Sequence, residues 1–252
     1  MFTSALQKIE RANKHISDLK AAFDLFTKAH PHTLSFSTDP QTGAMTVEVH
    51  FREEISTDFA LMIGDAAHNL RSALDHAAWE LVGLDRGAQD RYLAFPVSKT
   101  NRSDYEATCN GVKTPRADTK QFFIAFAAYP SGAGHKIFGL SELDNADKHT
   151  VLTPIVGVAK IAHVKVLHPN GKLAATLDDT TLGMGPDGRA RFMLLGPGMR
   201  VEFDQNADPT IDVFFGDVEV FKFTPIIQTL ENLRDAVTDI IGQFDAFVKT
   251  RP

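Results

Sequence analysis

The feature that most constrains this chain is helical periodicity at both of its ends. Near the start, Phe2, Leu6, Ile9, Ile16, Leu19, Phe23 and Phe26 recur at spacings of three, four and seven. That pattern lays one apolar stripe along a helix over residues 3–29, with Glu10, Lys14, Asp18 and Lys20 off the stripe. Near the end, Ile226, Ile227, Leu230, Leu233, Val237, Ile240, Ile241, Phe244 and Phe247 form a second stripe over residues 225–248. Pro31 is the expected stop of the first helix, and Thr224-Pro225 the expected start of the last. Amphipathic helices must cover their stripes. The two ends are therefore expected to pack with a helix from between them, as a bundle discontinuous in sequence.

That third helix is expected from Ser56 or Thr57, as cap, to about residue 82, with Gly83 as its stop. At about 100° per residue, Ile63, Ala66, Leu70, Ala73, Leu74, Ala77 and Leu81 share an arc of roughly 80°. Between the first two long helices, residues 33–37 and 45–51 alternate apolar and polar, and Asp39-Pro40-Gln41-Thr42-Gly43 is turn chemistry, so a β-hairpin is expected. Residues 85–115 look loop-like, Thr114-Pro115 opens a helix to about residue 128, and Ser141-Glu142-Leu143-Asp144 matches a capping box for a short helix ending near His149. From residue 151 to 223 short β-like runs alternate with turn signals at 170–171, 186–188, 196–198 and 216–217. The expected fold class is α+β, a helical bundle of long helices with an early β-hairpin and an appended antiparallel β-module. It forms a single domain over 1–252, the bundle taking about 1–30, 55–150 and 224–250 and the β-module about 151–223.

Composition narrows the function classes. The chain has 252 residues, 43% hydrophobic and 23% charged, which is ordinary for a globular protein. A net charge of -6 argues against a large nucleic-acid footprint. The single cysteine, Cys109, excludes an internal disulfide and any cysteine-cluster metal site. No apolar run reaches signal-peptide or membrane-span length, so a cytoplasmic protein with no membrane partner is expected.

Chemistry concentrates on the second long helix. Between Gly64 and Trp79 it has no Lys or Glu, yet it carries Asp65, His68, Asn69, Arg71, Ser72, Asp75 and His76. Asp65, His68, Ser72, Asp75 and Trp79 form a line opposite the core face, spaced three, four, three and four. Arg71 and Asp75 are spaced to pair, and so are Ser72 and His76. Three chemistries fit. Asp65 and His68 form a carboxylate–histidine pair of the kind bundle metal sites use, with Asp144, Asp147 and His149 as further ligands for a divalent metal. His68 or His76 can serve as a general base oriented by Asp65 or Asp75. Arg71 and His76 form an Arg-x4-His pair that can assist RNA cleavage without a metal. The bland reading of the same line is a satisfied buried polar network in a homodimeric binding or structural protein. A second cluster, Asp147-Lys148-His149, sits where helical sequence gives way to strands, a usual place for functional side chains.

The segments HNLRSALDH at 68–76 and LDNADKH at 143–149 resemble those of a group of uncharacterised bacterial and phage proteins, which share an HNLRxxLDH helix and an N-x-x-DKH segment. The Arg71–His76 spacing also resembles the Arg-x4-6-His motif of HEPN domains. Those are helical bundles, often dimeric, with ribonuclease members. Here Ser72 stands where such members usually have Asn, and the motif lies early rather than late in the bundle. The resemblance implies metal-independent endoribonuclease or phosphodiesterase chemistry, with RNA or a small phosphorylated ligand as partner and a homo-oligomer as the assembly. The expected catalytic set is His68, Arg71, Asp75, His76, Asp147 and His149. No cofactor is expected on this reading. Asp65 and His68 are the metal candidates on the other.

Overall fold

The computed structural model describes residues 1–29, 32–51, 55–88, 92–149, 152, 154–160, 164–177, 190–203, 210–216 and 218–251. In chain order its elements are α1 (Thr3–Lys28), β1 (His32–Thr38), β2 (Met45–Phe51), α2 (Thr57–Arg86), α3 (Arg102–Gly111), α4 (Ala117–Ala125), α5 (His135–His149), β3 (Pro154–Lys160), β4 (Val164–Leu167), β5 (Leu173–Leu177), β6 (Ala190–Leu195), β7 (Arg200–Phe203), β8 (Thr210–Phe215), the 3-10 turn Glu219–Phe221 and α6 (Ile226–Thr250). The architecture is α+β with bundle-like helix packing. Pro31 and the turn at 186–188 lie outside the described residues.

Helices α1, α2 and α6 pack on one another, and α5 packs on both α2 and α6. The apolar arc read for α2 is the core: Ile63, Ala66, Leu70, Ala73, Leu74, Ala77 and Leu81 are fully buried. Small residues Ala5 and Ala12 on α1 are also fully buried and let the helices approach closely. Phe244 of α6 gathers the aromatic part of the core, with rings of Phe2, Phe95, Phe122, Phe123 and Phe126 around it. The Phe2–Phe244 pair is edge-to-face at 5.6 Å.

Several boundaries differ from the sequence expectation, each for a local reason. Gly83 does not stop α2. The helix runs on to Arg86, and Gly87, at φ 65°, takes the left-handed position beyond it. The stretch 85–115 is not all loop: Asn101 accepts a hydrogen bond from the Asp104 backbone N–H and caps α3. Thr114 does not stand at the N-cap of α4: its hydroxyl accepts the Arg116 N–H and donates to Asp85, and α4 begins at Ala117. Helix α5 starts at His135, six residues before the expected capping box, so Asp144 lies inside the helix instead of at its third position.

The expected β-module is three small sheets among the described residues. One takes the early hairpin β1–β2 and adds β6 antiparallel to β2, with Val47 opposite Met193. A second pairs β3 with β8. In the third, β4 lies between β5 and β7. Hairpin and module therefore share a sheet. The run 218–223 is no strand; it holds the 3-10 turn.

Candidate functional site

The polar line of α2 meets α5. His68 Nδ1 donates to Asp144 Oδ1 at 2.9 Å, and Lys148 donates to the other carboxylate oxygen, Oδ2, at 2.5 Å. The Asp144 side chain is only 3% exposed, whereas those of His68 and Lys148 are each about half exposed. A buried carboxylate thus holds one imidazole nitrogen and leaves the other, Nε2, toward solvent. Nε2 faces Ser72 Oγ at 3.4 Å, one turn along α2. Such an arrangement fixes the tautomer and orientation of an accessible ring nitrogen, which is what a general base requires.

Asp147 lies one turn of α5 from Asp144, over Gly64 of α2. A Cβ on residue 64 would overlap the Asp147 carboxylate, so Gly64 is what leaves room for that side chain against α2. Burial raises the Asp147 carboxyl above its ordinary value, and the carboxylates of Asp144 and Asp65 push it the same way. Asp65 itself turns toward α1, with its Oδ2 3.8 Å from His15 Nδ1. Asn69 donates to the Asp65 backbone carbonyl and accepts from Lys8.

Arg71 serves a different element. It is buried, and its Nη2 donates to the Phe95 carbonyl at 2.9 Å. Asp75 Oδ1 accepts the Phe95 backbone N–H at 2.8 Å and lies 3.0 Å from Arg71 Nη1. The expected i,i+4 pair therefore forms, and together its two side chains clamp both polar groups of one loop residue. Burial raises the Asp75 carboxyl, partly offset by Arg71 and the Phe95 N–H.

His76 points to a third place. Its Nδ1 shares a 2.5 Å hydrogen bond with Ser4 Oγ of α1, not with Ser72 as its spacing suggested. It lines a cavity of about 400 Å³ together with Ser4, Asp75, Trp79, Glu80 and Leu93.

The expected catalytic set is therefore divided. His68 and Asp147 stand with α5. Arg71 holds the loop at Phe95. Asp75 both braces that loop and lines the cavity with His76. His149 is exposed in the last turn of α5. Among the described residues no hydrogen bond or ion pair joins Arg71 to His76, and no three His, Cys, Asp or Glu side chains converge to hold a metal ion. Asp65 and His68, the expected metal pair, turn instead to His15 and Asp144. Burial pushes the Cys109 thiol up to about 11, which leaves it inert.

Two members of this site carry other roles in the sequence: Asp144 stands there as a capping-box residue and a further metal ligand, and Lys148 only as a member of the Asp147-Lys148-His149 cluster, with no pairing between the two. Their i,i+4 spacing was visible, but only a helix that starts before Ser141 makes it a pair on one face. No family model, curated protein or solved structure matches the chain. No helix among the described residues is long and apolar enough to cross a membrane.

Proposed function

We propose that this chain is a metal-independent phosphodiesterase of the RNA-cleaving type, with His68 as its general base. The observation that carries this reading is the His68–Asp144 hydrogen bond, in which a buried carboxylate orients a half-exposed imidazole. His68 Nε2 takes the proton of a ribose 2′-hydroxyl. The 2′-oxygen then attacks phosphorus, and the bond to the 5′-oxygen breaks with proton donation to that oxygen. Asp147, whose carboxyl is raised by burial, is the acid in that last step, and the Lys148 ammonium faces the phosphoryl oxygens. Two titratable groups with different environments, close in space, are the usual marks of an acid–base pair.

The test is incubation with single-stranded RNA in excess chelator. Expected products end in 2′,3′-cyclic phosphate. His68→Ala abolishes cleavage, and Asp144→Asn lowers it by about 10²-fold or more, as loss of an oriented base does. Cleavage that survives His68→Ala overturns the reading. If His76→Ala abolishes cleavage and His68→Ala does not, the HEPN-like Arg71–His76 pair is the site, completed by a second chain.

One observation favours a second reading, a non-catalytic polar staple between α2 and α5. Asp144 accepts hydrogen bonds from two side chains at once, His68 and Lys148. On that reading His68→Ala lowers the thermal midpoint by several degrees, and the wild type cleaves nothing.

A further inference from the structure

The cavity beside His76 is a separate feature. It opens between the start of α1, the second half of α2 and Leu93. Along α2 it lies two turns beyond His68, about 12 Å at the helical rise. Its volume, about 400 Å³, is in the range of small-molecule pockets.

Its lining has a definite chemical character. Trp79 and Leu93 supply apolar wall, while Asp75, Glu80, His76 and Ser4 supply polar groups. Among the described residues no Lys or Arg lines it. Asp75 is already answered by Arg71 at 3.0 Å. Glu80 is not: its Oε1 accepts the Phe2 backbone N–H at 3.0 Å, and no cation pairs with it among the described residues. Among the described residues one half-buried carboxylate thus stands without a cationic partner, next in the chain to an indole ring. Trp79 and Glu80 also line a second hollow of about 520 Å³, which continues along α2 past Gly83 and Leu84. A carboxylate next to a tryptophan face favours a cation, and anions are repelled by Asp75 and Glu80 together.

We propose that this cavity binds a small organic cation, an ammonium group on a short aliphatic body. The ammonium donates to Glu80 and lies against Trp79, and the aliphatic part packs on Leu93. A bound ammonium also offsets the cost of keeping Asp75 charged in a buried place. This inference does not rest on the role of His68.

Trp79 is the single tryptophan of the chain, so its fluorescence reports on this cavity directly. The experiment titrates butylammonium, 1-butanol and butyrate into the wild type at constant ionic strength and pH 7. Butylammonium is expected to give a saturable change in emission, with butanol about tenfold weaker and butyrate silent. Glu80→Gln keeps a side-chain oxygen for the Phe2 N–H and removes the charge. It is expected to weaken butylammonium binding about tenfold at unchanged thermal midpoint. The proposal fails if butylammonium gives no saturable response, if butanol or butyrate binds equally well, or if Glu80→Gln binds as the wild type does. Should Glu80→Gln not fold, the comparison of the three probes on the wild type decides alone.

Discussion

The Asp147 carboxylate of α5 occupies the space that a side chain at Gly64 of α2 would need. A methyl group on residue 64 would have to displace that carboxylate. Gly64→Ala is therefore expected to lower stability by about 1–3 kcal/mol, although alanine is the better helix former. Chemical denaturation checks this. In an Asp147→Ala background the same change is expected to cost much less, because the overlapping atoms are gone. Equal costs in both backgrounds would place the strain elsewhere.

Arg71 and Asp75 hold the loop at Phe95 by its carbonyl and its N–H. Arg71→Ala leaves the Phe95 carbonyl without a donor and Asp75 without its counter-charge. A loss of about 2–3 kcal/mol is expected in an unfolding titration. Arg71→Lys recovers little, since a single ammonium cannot span both the carbonyl and the carboxylate. A full rescue by lysine would show that charge alone matters.

The Asp85 side chain is wholly buried and accepts from Thr114, Thr119 and Arg251, tying the end of α6 to α2 and α4. The Arg251 guanidinium also lies 4.3 Å from the Phe247 ring centroid. Arg251→Ala strands a buried carboxylate and is expected to cost about 3–5 kcal/mol, measured by thermal or chemical unfolding. Removing the acid as well, in Asp85→Ala with Arg251→Ala, is expected to return part of that loss.

Asp147 also sets a pH dependence. Its folded pKa is raised, so the native state binds this proton more tightly than the unfolded chain. Its contribution therefore favours folding at low pH and fades as pH rises from the unfolded carboxylate value, about 3.9, through the folded one. Asp147→Asn is expected to remove that slope and to be the more stable protein at neutral pH. Denaturation midpoints of both proteins at several pH values between about 4 and 7 make the comparison. Parallel curves would contradict it.

Much of the frame was legible because periodicity is local. The stripes of Phe2 to Phe26 and of Ile226 to Phe247 became α1 and α6, and the apolar arc from Ile63 to Leu81 became the buried face of α2. Errors arose where one residue type supports two outcomes. Gly83 is tolerated inside α2 because its neighbours Leu81 and Val82 are buried and keep the helix packed. Ser141 to Asp144 carries a start signal that the longer α5 runs through. Strand partners were not legible, since β2 and β6 pair across more than a hundred residues of intervening chain.

By itself, the sequence determined which residues share a helix face. Asp65, His68, Ser72 and Asp75 lie in one line because 3.6 residues make a turn, whatever surrounds them. Only the tertiary structure decided which neighbour each side chain meets. The approach of α5 at Gly64 gives His68 to Asp144, the loop at Phe95 takes Arg71, and the start of α1 takes His76. Those partners are set by helix packing between residues distant in the chain, and no spacing along a single helix encodes them.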